Sequence, residues 1–159
     1  NVHGEVIGIA TMIESPIRGS VGIGFAVPSN TARRVVPQLE AGARLEPAWL
    51  GISGTTVDQT IASEQGLPVD HGVLVVSVVL GSPADRAGLR GGTRSDNSAV
   101  PRGGDVIVAV DGTPIATMEQ LIEEISRRSP GDTVRLTVVR DGHEQEVTVT
   151  LGSWPREMR

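Results

Sequence analysis

Ser82-Pro83-Ala84-Asp85-Arg86-Ala87-Gly88-Leu89, followed by Gly104-Asp105-Val106-Ile107-Val108-Ala109-Val110-Asp111-Gly112, is the stretch from which the fold is read. The first part spells out a helix of one to two turns. Ser82 offers an N-cap oxygen, Pro83 takes the first helical position, and Gly88 stops the helix. The second part reads as an alternating strand over 105–110 that runs into a tight Asp-Gly turn at 111–112. Between them, residues 90–103 are rich in Gly, Arg and Ser and read as a polar loop or loose hairpin.

Toward the C-terminus, Thr117 caps the longest predicted helix, 118–128, with Gln120 at the capping-box position. Pro130-Gly131 breaks that helix. Strands over 134–139 and 145–151 flank Asp141-Gly142, a strong hairpin signal. Toward the N-terminus, 72–79 is a strand, 61–65 a short helical turn, and Trp49-Leu50-Gly51-Ile52 a brief apolar run. Further back, 5–13 reads as a buried strand and 14–20 as a turn. Residues 21–27 read as a strand with Gly22 and Gly24 on one face. A helix capped by Ser29 or Asn30 then runs to about Leu39. Residues 1–40 are too little to bury a core alone. They are either the end of a larger domain or a flap on the next one.

The chain has 159 residues, 38% apolar, enough for a real core. Its net charge of −5 argues against nucleic acid as a main partner and against adhesion to anionic lipid. No apolar run approaches the roughly 18 residues of a membrane span. The opening Asn-Val-His-Gly-Glu lacks the basic-then-apolar start of a signal peptide. Cysteine is absent, which excludes disulfides, thiol catalysis and cysteine zinc sites. All 14 basic residues are arginine, read as composition bias. Phe25, Trp49 and Trp154 are too few aromatics for a base-stacking surface. His3, His71 and His143 lie in different regions, tied to no strained serine turn and without metal-ligand spacing. Gly22-x-Gly24 fails as a dinucleotide fingerprint because Val27 and Pro28 follow. No catalytic residue, metal or cofactor is therefore predicted for this chain.

Taken in order, the Ala-Gly-Leu turn, the Gly-Asp strand, the capped helix and the Pro-Gly-Asp hairpin resemble a PDZ domain. Because Trp49-Leu50-Gly51-Ile52 comes first and the 145–151 strand last, the order resembles the circularly permuted PDZ of HtrA (Deg-type) serine proteases. Gly4-Glu-Val-Ile-Gly-Ile9 with Gly22-Ile-Gly-Phe-Ala-Val-Pro-Ser-Asn30 resembles the stretch after the nucleophilic serine in those enzymes. The resemblance implies a mainly β fold with short helices (α+β). Residues 1–41 would be the C-terminal piece of a trypsin-like barrel, 42–47 a linker, 48–152 the PDZ domain and 153–159 a tail. The family's Gly-Asn-Ser-Gly-Gly loop is absent and is expected upstream of Asn1, together with the catalytic His and Asp. Residues 91–103 are longer than the usual connection.

The resemblance also implies a site. Extended peptides bind by adding a strand to a sheet edge, and a terminal carboxylate is held by backbone N–H groups. Trp49, Leu50, Gly51 and Ile52 would be the carboxylate loop and the start of the binding strand; the alternative is that Trp49, Leu50 and Ile52 are plain core. Met118, Ile122 and Ile125 share one helical stripe and would form the opposite wall, with Leu121 turned to the core. Many eukaryotic PDZ domains have a histidine where this chain has Met118. A thioether donates no hydrogen bond and fits varied apolar shapes, so the implied ligands are apolar and loosely specified. Ile9, Ala10, Thr11, Gly22 and Gly24 would wall a protease specificity pocket for small aliphatic side chains, or else be ordinary barrel strands. The implied partners are C-terminal peptides of unfolded client proteins, the remainder of a protease domain, and further copies in a homo-oligomer, a trimer in the family. The implied setting is the periplasmic cell envelope, in protein quality control. The rival reading is a free-standing PDZ scaffold or regulatory module with no protease partner.

Overall fold

The computed structural model describes residues 1–13, 24–40, 46–93 and 100–155, and it divides the chain into units Asn1–Leu45 and Glu46–Arg159. In the second unit, β-branched runs build an antiparallel sheet of order β4-β5-β6-β8-β9, with β7 paired to β6. Its strands are β4 (Ile52–Thr56), β5 (Val73–Val78), β6 (Val106–Val110), β7 (Thr113–Pro114), β8 (Thr133–Arg140) and β9 (His143–Thr150). Two Asp-Gly turns have the positive φ at both central residues that a two-residue hairpin requires: Asp111 (48°) with Gly112 (81°), and Asp141 (51°) with Gly142 (81°). The second sets an unbroken register from Arg140↔His143 to Thr133↔Thr150.

β6 corrects one expectation. It does not alternate: Val106, Ile107, Val108 and Val110 are all buried. The central strands β5 and β6 are covered on both faces. Val73, Val75, Ile107, Val110, Val134, Leu136 and Val138 join one apolar cluster; Leu74, Val106, Val108 and Val139 join another. A strand buried on both sides reads as a continuous apolar run.

Among the described residues, three helices accompany this sheet. α2 (Gln59–Gln65) starts at Asp58, whose carboxylate accepts from the Ile61 N–H at 2.8 Å. α3 (Pro83–Arg86) starts at Ser82, whose hydroxyl accepts from the Asp85 N–H at 3.1 Å, and Pro83 opens it. α4 (Met118–Ser126) starts at Thr117, which accepts from the Gln120 N–H at 3.3 Å. The return bond of that capping box goes from the Ala116 N–H to Gln120 Oε1, one residue before the cap.

In the first unit, β1 (Gly8–Ile13) pairs antiparallel with β2 (Gly24–Pro28), and α1 (Ser29–Glu40) follows. β1 starts three residues later than expected. Asn1 Oδ1 accepts from the N–H groups of His3 and Glu5, folding that segment into a turn. α1 has 12 residues against 9 for α4, so α4 is not the longest helix; α4 ends at Ser126 and its C-cap is Arg127. The predicted turn 14–20, residues 21–23 of the second strand, linker residues 42–45 and loop residues 94–99 lie outside the described residues. Thr93 and Arg102 form an isolated antiparallel bridge at the base of that loop.

Candidate functional site

Trp49, Leu50, Gly51 and Ile52 come together with Met118, Ile122 and Ile125 around one groove of about 440 Å³. β4 forms one side. It is an edge strand, with β5 on one flank and no strand on the other among the described residues. α4 forms the opposite side. The Met118 N–H donates to Thr56 Oγ1 at 3.0 Å, fixing the start of α4 to the end of β4. Leu121 is 2% exposed and Ile125 6%, so both are core residues that also floor the groove, whereas Ile122 is 56% exposed on its rim.

The loop entering β4 is held by its carbonyls. Leu50 O accepts from the Ala84 N–H at 2.9 Å, and Gly51 O from the Val79 N–H at 2.9 Å and the Ser82 hydroxyl at 3.3 Å. The N–H groups of Leu50 and Gly51 find no acceptor among the described residues, although both residues are buried. Buried backbone donors are nearly always paired. Two adjacent unpaired donors beside an apolar groove are the kind of arrangement to which an anion can bind. Gly51 has φ +88, and a Cβ there would lie 2.2 Å from Ser82 Cβ. The glycine is therefore required by its backbone angle and by the close approach of Ser82, more than by access for a ligand.

The loop rests on α3, and α3 ends on a buried ion pair. Asp105 is fully buried. Its carboxylate accepts from Arg140 Nε and an Arg140 terminal nitrogen, both at 2.7 Å, and from the Arg90 N–H at 2.8 Å. Arg140 also donates to Gly88 O at 2.8 Å. Donating to the Asp105 carboxylate raises the arginine's pKa further above its ordinary value. The Gly-Asp of the fold-deciding stretch thus clamps the Ala-Gly-Leu turn on which the Leu50–Gly51 loop sits.

Trp154 was missing from the predicted site. Residues 153–159 read as a tail, yet β10 (Gly152–Ser153) pairs with β3 (Ala48–Trp49), and Trp154 packs against Trp49 with ring centroids 6.1 Å apart at 54°. Trp154 lines the groove, as do Pro47 and Ala48. A two-residue strand has no periodicity to read, and its pairing partner lies near the opposite end of the unit.

The residues expected to wall a protease specificity pocket belong to the first unit. Ile9 and Ala10 pair with Val27 and Ala26, Thr11 sits in a bulge, Gly24 pairs with Ile13, and Gly22 lies outside the described residues. A separate cavity in that unit is lined by Glu5, Val6, Ser29, Ala32, Arg33, Val36 and Pro37.

Comparison with known proteins matches the PDZ domain model over residues 21–151. The chain is 37% identical over 157 residues to a probable periplasmic serine endoprotease DegP-like of Brucella suis, covering 99% of this chain and 28% of that protein. It is 38% identical over 151 residues to the periplasmic pH-dependent serine endoprotease DegQ of Escherichia coli, covering 95% and 30%. Among solved structures it matches the HtrA-type protease AlgW with decapeptide at TM-score 0.77 and 30% identity, over 96% of this chain and 43% of that one. The chain thus spans less than a third of the curated relatives it matches. It belongs to the PDZ family, in the form carried by HtrA-type serine endoproteases.

Proposed function

We propose that the groove between β4 and α4 binds the C-terminal ends of extended, apolar peptides. The observation that carries this reading is the pair of unpaired N–H groups at Leu50 and Gly51, at the end of a groove walled by Ile52, Met118, Ile122 and Ile125. A ligand strand adds to the open edge of β4, and its carboxylate occupies the two donors. A relative solved with a decapeptide supports the same reading. Met118 gives a deformable apolar wall with no hydrogen-bond donor.

The wider role follows the relatives. The chain acts as the PDZ part of an HtrA-like serine endoprotease of the periplasm, with unfolded chain ends as ligands in protein quality control, in a homo-oligomer such as a trimer. Among the described residues of the first unit, seven large apolar side chains are exposed: Val2, Val6, Ile7, Ile9, Phe25, Val36 and Leu39. A surface of that kind favours burial by the rest of a protease barrel over the free-standing scaffold. Ile9, Ala10, Thr11, Gly22 and Gly24 would contribute to its specificity pocket.

Titrating one N-terminally dye-labelled apolar peptide as free acid and as C-terminal amide tests the groove. Losing a charge-assisted hydrogen bond costs on the order of 1.5–3 kcal/mol, so the amide binds roughly ten- to a hundredfold more weakly. Ile122→Glu, on the exposed rim, weakens the free acid without altering the melting temperature. Equal affinity for acid and amide overturns the reading.

A further inference from the structure

We propose that Thr56 is a positioning residue for peptide binding: its hydroxyl holds the start of α4 against the end of β4, and so sets the spacing of the groove walls at the end far from the Leu50 and Gly51 donors. The inference rests on the peptide-binding reading and goes beyond it by assigning the residue that spaces the two walls. Thr56 is the last residue of β4 and pairs with Val73. Its Oγ1 accepts from the Met118 N–H at 3.0 Å. Among the described residues this is the one hydrogen bond between β4 and α4. Elsewhere the interval between them is groove, with Ile52 on one side and Ile122 and Ile125 on the other. Gly54, midway along β4, has no side chain with which to prop the walls. At about 3.3 Å per residue the strand advances roughly 17 Å from Gly51 to Thr56, so a paired ligand meets Thr56 about five residues before its carboxylate.

The bond is not what starts the helix. α4 carries its own local caps: Thr117 accepts from the Gln120 N–H at 3.3 Å, and Gln120 Oε1 accepts from the Ala116 N–H at 2.8 Å. Each of those acceptors lies within four residues of its donor, whereas Thr56 and Met118 are 62 positions apart. The first N–H groups of any helix lack intrahelical partners, and water satisfies them as a side chain does. An acceptor brought from another element therefore adds placement. A second tie acts on a different strand: the Gly72 N–H, directly before β5, donates to Ala116 O at 3.1 Å. It anchors the chain entering α4 to the interior of the sheet. Thr56 then fixes the first turn against the edge strand that a ligand pairs with. A ligand strand lying between β4 and α4 must meet hydrogen-bonding groups on one side and apolar side chains on the other. Both kinds of contact decay within a fraction of an ångström to an ångström of misplacement, so wall spacing enters the affinity directly.

The test uses the 159-residue chain, its Thr56→Val and Thr56→Ser variants, and three peptides titrated by calorimetry: acetyl-Gly-Ser-Gly-Ala-Val-Leu as free acid, the same hexapeptide as its amide, and the free acid acetyl-Ala-Val-Leu, which is too short to reach Thr56. Thr56→Val keeps the branched shape and removes the acceptor. It binds the hexapeptide acid roughly three- to tenfold more weakly, the range of one neutral hydrogen bond. Thr56→Ser, which restores the hydroxyl, stays within about twofold of the unaltered chain. The tripeptide acid binds all three chains within about twofold, because its contacts end before the altered spacing begins. Unchanged hexapeptide binding by Thr56→Val overturns the role of Thr56. So does a Thr56→Ser variant as weak as Thr56→Val, which would assign the effect to the methyl group. An equal loss for tripeptide and hexapeptide overturns it too, as a general loosening of the fold. In each of these cases the groove reading stands as long as the unaltered chain prefers the acid to the amide. Equal binding of acid and amide by the unaltered chain overturns the groove reading, and the present inference with it.

Discussion

At the scale of single residues, Gly51 separates what a site needs from what a fold needs. Its sequence context points to an open loop for an anion, and its φ of +88 fits that. The space around it adds a second constraint, because Ser82 fills the place where a side chain would begin. Ser82 is itself committed, capping α3 through the Asp85 N–H and donating to Gly51 O. Neither partner can move without loosening the other. Gly51→Ala therefore costs at least about 1 kcal/mol from the backbone angle alone, and the displaced cap adds to that. The loss is read as a lowered urea midpoint with an unchanged slope. A stability equal to that of the unaltered chain would show that the loop accepts a Cβ, and that glycine is there for ligand access alone.

At the scale of elements, the groove walls depend on a clamp that never touches the groove. Asp105 at the start of β6 holds Arg140 at the end of β8, and Arg140 holds Gly88 just past α3. α3 then holds Leu50 through Ala84. Removing one member of a buried ion pair strands the other charge. Arg140→Met is expected to lower stability by about 3–5 kcal/mol, measured by urea unfolding. Because hydrogen bonding to Asp105 raises the pKa of Arg140, its contribution is fully present below the ordinary arginine range and is lost only as pH rises through the raised value. The deficit of the variant should thus be constant across neutral pH. Gly104-Asp105 was legible in the sequence as a motif, but its partner was not, because Arg140 lies 35 residues away and looks like any other strand-end arginine. The local signals did carry through: Ser82, Pro83 and Thr117 mark helix starts, and Asp141-Gly142 marks a hairpin. Each of these is decided by neighbours within four residues. Trp154 is decided by a pairing across the whole unit, and no local pattern announces it.

At the scale of the whole molecule, apolar burial is distributed unevenly. Every buried apolar residue among the described ones falls between Ala48 and Leu151. The first unit instead exposes Ile7, Ile9, Phe25 and Leu39, and its two-stranded sheet and one helix fall below what holds together alone in water. The hydrophobic drive to fold therefore belongs to residues 46–159, whose two apolar clusters close on both faces of one sheet. We expect residues 46–159, expressed alone, to melt cooperatively within a few degrees, about the spread that independent units allow, of the main transition of the full chain. They should bind the same free-acid peptide within about twofold, since all the groove-lining residues lie in this segment. Residues 1–45 alone should give no cooperative transition. Differential scanning calorimetry of the three chains, with a peptide titration of the longer two, decides this. A shorter chain that melts far below the full one, or that loses the peptide, would show that the first unit contributes to the stability of the groove, and the boundary at Glu46 would then mark a change in contact density rather than a division in folding.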